Sequence, residues 1–176
     1  MRAIFRPKPA LVLALLFAAL LAAFWSFDLR LNFTPSLPAG VYRLSRMLPA
    51  DPLRGGSASF CLEGETARTA MERGYLQTGL CPSGVQPLVK IVAGLPGDFL
   101  VSDSLGIRVN GRLWPNSRPL SEDGQGRQLT AAQLPDRIPA GMVLMLSLAH
   151  EGGFDSRYFG LVPQDSLDQA GLLFAF

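Results

Sequence analysis

The sequence predicts a mainly β domain with short helices, preceded by one N-terminal transmembrane helix, and three observations predict it. Residues 10–27 read ALVLALLFAALLAAFWSF, eighteen positions without a charge. Beyond them the chain breaks into short runs rich in β-branched and aromatic residues. Turn signals built from Gly, Pro and Asn separate those runs, and little of the chain repeats at helical spacing.

At 176 residues the chain is a single domain by length, since the anchor takes ~25 residues and the ~145 that remain can bury a proper core. The apolar run is at the short end for a spanning helix, where ~20 residues cover the hydrocarbon. Arg2, Arg6 and Lys8 precede it and Asp28 follows. By the positive-inside rule residues 1–9 form a cytoplasmic tail, 10–27 the anchor, and 28–176 an exported domain. Trp25, with Phe24 and Phe27, suits the outer interface. A cleaved signal peptide is the rival reading, with Ala22 and Ala23 as small residues near a cut, but the bulky aromatics that follow fit an anchor better. Net charge is +2 and no basic run exists outside the N-terminus, so no nucleic-acid partner is expected.

The elements follow in order. Residues 29–33 form a connector and the first extended stretch. Residues 34–40 (TPSLPAG) are too rich in Pro and Gly for a helix, and 41–44 alternate as a strand leaving that turn. Residues 57–62 read as a strand, and 66–75 as a short helix ended by Gly74 or Gly79. Residues 88–92 are a compact β-branched run carrying Lys90, followed by a turn at 94–98 and a strand at 99–102. Asn110-Gly111 between 107–109 and 112–114 is a two-residue hairpin signal. Residues 117–127 read as a mobile peripheral loop, 142–148 as an apolar strand and 154–162 as another. Met142 and Met145 fit core packing, and His150 beside Glu151 reads as a surface pair.

Cys61 and Cys81 are the only cysteines. In an exported domain an even pair is most simply a disulfide closing a local loop, with two free thiols as the alternative. Two isolated cysteines and one histidine make a poor zinc site, so neither metal nor cofactor is expected.

Serine needs an adjacent base to act as a nucleophile. A lysine can supply it if burial disfavours the ammonium, whereas arginine cannot lose its proton near neutral pH. Apart from Lys8, Lys90 is the only lysine in the chain, and it lies in the apolar run Pro87-Leu88-Val89-Lys90-Ile91-Val92. Ser36, in the Pro-bracketed turn just outside the apolar segment, is the candidate nucleophile. Taken singly, Ser36 is an ordinary turn residue and Lys90 an edge-strand lysine whose head reaches water.

Three stretches change that balance. Thr34-Pro35-Ser36-Leu37-Pro38 resembles loosely, and Lys90-Ile91-Val92-Ala93-Gly94-Leu95-Pro96-Gly97-Asp98 and Asp155-Ser156-Arg157-Tyr158-Phe159-Gly160 resemble closely, the three ordered boxes of the type I signal peptidases. The likeness spans the exported domain. Ser36-Leu37-Pro38-Ala39-Gly40-Val41-Tyr42 carries the Ser-x-Pro-x-Gly-x-Tyr pattern of the TraF-type branch, which serves conjugative transfer and has a single anchor and a compact domain.

The resemblance implies a signal-peptidase-like β domain with Ser36 as nucleophile and Lys90 as general base. It implies an oxyanion hole from the Ser36 N–H and the Thr34 hydroxyl, although a turn-capping hydroxyl is an ordinary alternative for Thr34. Asp155 and Arg157 match a conserved pair that would order the strand beside Lys90; a structural ion pair is the expectation for them. One departure is Gly153, where family members often carry a serine whose hydroxyl helps hold the lysine. That hydroxyl would have to come from elsewhere, with Ser156 or a water as candidates. The implied activity is cleavage of an exported precursor at the bacterial inner membrane, with the domain in the periplasm and lipid as a second partner. The implied substrate is the pilin of a conjugative type IV secretion system, cut or cyclised. The alternatives are a general type I signal peptidase, a LexA-like self-cleaving protein, which the anchor disfavours, and an inactive pilus-assembly interaction protein.

Overall fold

A computed structural model describes residues 9–33, 37–46, 54–147 and 150–176. Thr34, Ser36 and the basic tail at 1–8 lie outside the described residues. The first element, α1 (Pro9–Ser26), buries none of its side chains. It is apolar all round and, by length and composition, long enough to cross a membrane. Asp28 ends it with φ +50°, turning the chain into β1 (Leu29–Asn32). Arg30 on that strand places its guanidinium 5.5 Å from the Trp25 ring, tying strand to helix.

Among the described residues nine more strands and two more α-helices follow: β2 (Gly40–Arg46), β3 (Ser57–Phe60), α2 (Gly64–Glu72), β4 (Leu88–Gly94), β5 (Leu100–Asp103), β6 (Gly106–Val109), β7 (Arg112–Leu113), β8 (Met142–Leu146), α3 (Ser156–Phe159), β9 (Val162–Pro163) and β10 (Asp168–Ala175). Seven strands form one sheet in the order β1-β2-β10-β3-β4-β8-β9, and β5-β6-β7 form a second. Every ladder is antiparallel. The protein is mainly β, as the sequence implies.

The sheet's centre is buried on both faces, as β8 makes plain. Val143 and Met145 enter a core with Phe60, Leu76, Leu88 and Val92, while Leu144 and Leu146 enter a second with Leu100, Ile107 and Ile138. The expected hairpin forms between β6 and β7, with Asn110 at φ +50° and Gly111 at φ +80°, the two positive angles its turn requires.

Three expectations need correction, and one strand was not expected. Residues 154–162 are not a strand, because Asp155 accepts the Arg157 N–H as a helix cap and Gly160 ends the turn at φ +82°. That cap and that glycine outweigh the aromatic strand propensity of Tyr158 and Phe159. The short helix runs Gly64–Glu72 rather than 66–75, because Arg73 caps it and Gly74 departs at φ +73°. Residues 117–127 are tied down rather than loose: Ser117 is buried and receives the Ile107 N–H, and Asp123 collects four donors. The closing strand β10 was not foreseen at all, because 168–175 (DQAGLLFA) lacks alternation.

β10 lies between β2 and β3 and pairs with β2 from Asp168↔Arg46 to Ala175↔Gly40. Gly40 is required there, since a Cβ would sit 2.3 Å from the Phe174 carbonyl oxygen. Gly40→Ala should therefore lower the unfolding free energy by about 1–3 kcal/mol, read as a reduced denaturation midpoint in detergent micelles.

Candidate active site

Lys90 occupies the third position of β4, paired with Ala58 of β3, on the face that carries Leu88 and Val92. It is 4% exposed. Burial in this apolar ladder lowers its pKa from 10.5 to about 8, the positive Arg157 guanidinium adds to that, and the Asp155 carboxylate partly reverses it. The amine donates to the Ser147 hydroxyl at 2.9 Å.

Ser147 reaches that position by strand register. Ile91 faces Leu146 across the β4–β8 ladder, so the next residue on each strand brings Lys90 opposite Ser147. Its N–H donates to Asp155 Oδ2 at 2.9 Å. The other donors to that carboxylate are the Arg157 N–H, Nε and Nη2, which with Ser147 fill the four acceptor sites of an ionised aspartate. Arg157 is equally saturated. Beyond Asp155 it donates to the carbonyls of Arg118, Glu151 and Gly153, using all five guanidinium N–H groups. Both side chains are fully enclosed. A buried ion pair this complete fixes geometry even where its net stabilisation is small.

Asp155 and Arg157 thus form the expected structural ion pair, but they order Ser147 and the 151–153 turn rather than a strand. The missing hydroxyl at Gly153 also has an explanation. A Cβ on Gly153 would lie 2.4 Å from the Ser147 Oγ, so the serine occupies the space a side chain at 153 would need. Ser156 serves elsewhere, its Oγ accepting the Met145 N–H at 2.9 Å. Ser147 carried no signal in the sequence beyond ending an apolar strand; only the register puts it beside Lys90.

Lys90 opens on a cleft of about 760 Å³. Leu37, the residue after Ser36, lines the same cleft, as do Tyr42, Gly153 and Phe154. Residues 37–38 are braced by Asn32 Nδ2, which donates to the carbonyls of Leu37 and Pro38, and by the Tyr42 hydroxyl, which donates to Pro38 at 2.9 Å. His150 also borders the cleft but is not paired with its neighbour as expected; the Glu151 carboxylate takes Arg118 at 2.9 Å. The expected disulfide joins Cys61 to Cys81.

The displaced pKa is also a stability statement. Between pH 8 and 10.5 the unfolded chain keeps the Lys90 proton and the folded chain does not, so stability rises with pH through that window and the full burial cost stands below it. That cost is worth about 3 kcal/mol, offset by about 1 from the Ser147 bond. Lys90→Met should thus be more stable than the parent by about 2 kcal/mol at pH 7, the gap closing above pH 10, as read by denaturant unfolding at both pH values.

The sequence profile described as signal peptidase, peptidase S26, matches residues 4–172. The conjugal transfer protein TraF of Agrobacterium tumefaciens (strain 15955) is 38% identical over 161 residues, covering 88% of this chain and 86% of that protein. A plasmid transfer protein TraF of Escherichia coli is 33% identical over 140 residues, 78% of this chain and 77% of its own. The crystal structure of a signal peptidase I from Enterococcus faecalis V583 aligns at 25% identity and a TM-score of 0.39 over 70% of this chain and 97% of that one. With the profile covering nearly its whole length and relatives this similar over most of it, the chain belongs to the signal peptidase family, peptidase S26.

Proposed function

We propose that this protein is a membrane-anchored serine endopeptidase that cleaves an exported precursor through Ser36 and Lys90, its substrate being the pilin of a conjugative type IV secretion system. The carrying observation is the buried Lys90, its pKa lowered to about 8, set on a hydroxyl in a cleft that the residue next to Ser36 also lines. A neutral amine can donate an N–H to Ser147 and still accept a proton, which is what a general base must do.

In this reading the Ser36 Oγ attacks the scissile carbonyl while its proton passes to Lys90 Nζ. The tetrahedral oxyanion rests on the Ser36 N–H and the Thr34 hydroxyl, each donor worth about 3–4 kcal/mol in the transition state. Lys90 then protonates the leaving amine, and an acyl-enzyme on Ser36 remains. Water activated by Lys90 completes hydrolysis; attack by the precursor's own amine would give a cyclic product. The extended substrate pairs with a sheet edge, so that backbone bonds align the scissile peptide. Support for conjugation as the setting comes from the relatives, named conjugal and plasmid transfer proteins.

Membrane attachment with the domain on the periplasmic side of the inner membrane fits a second feature. Leu31, Phe33, Leu173, Phe174 and Phe176 are each more than half exposed, and the Phe33 and Phe176 rings meet at 5.6 Å. They belong to β1, β10 and their ends, the part of the sheet reached directly from α1. An apolar apron continuous with a spanning helix rests in the bilayer interface, where precursors emerge.

Co-expression with a conjugative pilin precursor tests the reading through the mass of the product. Ser36→Ala and Lys90→Ala should each reduce processing by about 10⁴-fold or more. Ser147→Ala should lower kcat about 10–100-fold with little change in KM, since it removes one hydrogen bond to the amine. Normal processing by either dyad variant would refute the mechanism, and a product one water lighter than the linear mature pilin would establish cyclisation.

A further inference from the structure

Residues 61–81 leave β3, form α2 and return toward β4, and they furnish one wall of the cleft with Tyr75, Leu76 and Leu80. Leu80 is 74% exposed there, and Leu31 on β1 is 52% exposed and lines the same cleft. Exposed leucines along a cleft that also holds the buried lysine suit an extended peptide with apolar side chains.

Two ties hold this wall. The Cys61–Cys81 disulfide closes the segment at its base, with Cα atoms 5.5 Å apart. At its far end the Tyr75 hydroxyl donates to Asp123 Oδ2 at 2.5 Å. Asp123 is itself immobilised by the N–H groups of Gln125 and Arg127 and by Arg127 Nε. The Arg127 guanidinium lies 5.4 Å from the centre of the Tyr75 ring, and that ring packs on Phe154 at 5.0 Å. The Tyr75 ring is thereby held at its hydroxyl and by contacts with Arg127 and Phe154. Neither tie touches Ser147, Asp155 or Arg157, the groups that set Lys90.

We propose that residues 61–81 are the specificity-determining wall of the cleft, where Tyr75, Leu76 and Leu80 receive an apolar side chain of the substrate, and that the disulfide and the Tyr75–Asp123 bond are positioning devices for it. The inference rests on the peptidase reading above. It assigns recognition to one segment and chemistry to another, so the two can be altered separately.

The test uses the full chain in detergent micelles with pilin-derived peptides that differ only in carrying Ala, Leu or Phe at one position beside the cut. Tyr75→Phe and the Cys61→Ser/Cys81→Ser double variant should raise KM for the Leu peptide about 3–10-fold and flatten the preference among the three. Their kcat and pH midpoint should stay at parental values. Asp123→Asn, whose single amide oxygen cannot accept from all four donors gathered on Asp123, should flatten the preference as Tyr75→Phe does, and reductant added to the parent should reproduce the double variant. If the double variant does not fold, Tyr75→Phe and Tyr75→Ala decide the matter. Unchanged selectivity in both would overturn the proposal. So would a fall in kcat with a moved pH midpoint, since the wall would then act through Lys90. Ser36-dependent cleavage with parental selectivity at every wall variant defeats this inference alone. Absence of Ser36-dependent cleavage of any peptide defeats the peptidase reading and this inference with it.

Discussion

One lysine amine, taken out of water and set against a hydroxyl, is the constraint around which the rest is arranged. Burying an ammonium is unfavourable enough that the group gives up its proton more readily, and Lys90 does so near pH 8. That requires apolar strands on both sides, a nearby carboxylate that does not contact the amine, and a polar partner that is itself immobile. Ser147 is the partner, and it is immobile because its N–H is held by a carboxylate with no acceptor site to spare. Asp155 in turn is fixed by an arginine with no donor to spare. A pair so completely satisfied has one low-energy arrangement, and it transmits that rigidity to the amine.

The sheet explains how the parts meet. β4 carries the lysine, and the residue that follows β8 is its serine, brought alongside by the register of the two strands. On the other side β3 leads into the disulfide-closed segment that walls the cleft, and beyond it β10 and β2 lead back to β1 and the apolar helix. In the reading proposed above, chemistry belongs to β4 and β8, substrate recognition lies next to it beyond β3, and the apolar apron lies farther along the same side at β10, β2 and β1. This division is the proposed working arrangement of a signal peptidase family member whose substrate arrives from the bilayer.

Much of this was legible in the sequence, for physical reasons. An uncharged apolar run, an Asn-Gly turn and a β-branched segment are local signals, and α1, the β6–β7 hairpin and β4 follow from them. Lys90 stands out because it is the only lysine beyond the apolar run and lies in that segment. Non-local pairings were not legible. Ser147 is an ordinary serine until register sets it opposite Lys90, and Gly153 looks like a loss until its missing Cβ proves to be the serine's space. β10 is not legible because its second half, Leu172-Leu173-Phe174-Ala175, is apolar on both faces and so shows no alternation. Residues 154–162 were misread because one aspartate cap and one left-handed glycine override the propensity of the aromatics between them.

The central claim is that Lys90 acts as a neutral base, and the pH dependence of kcat/KM for Ser36-dependent cleavage addresses it most directly. In the free enzyme that ratio should rise about tenfold per pH unit from pH 6, bend at about 8 and level off above it, following loss of the Lys90 proton. A profile flat from pH 6 to 9 would contradict it, because cleavage would then not follow loss of the Lys90 proton near pH 8.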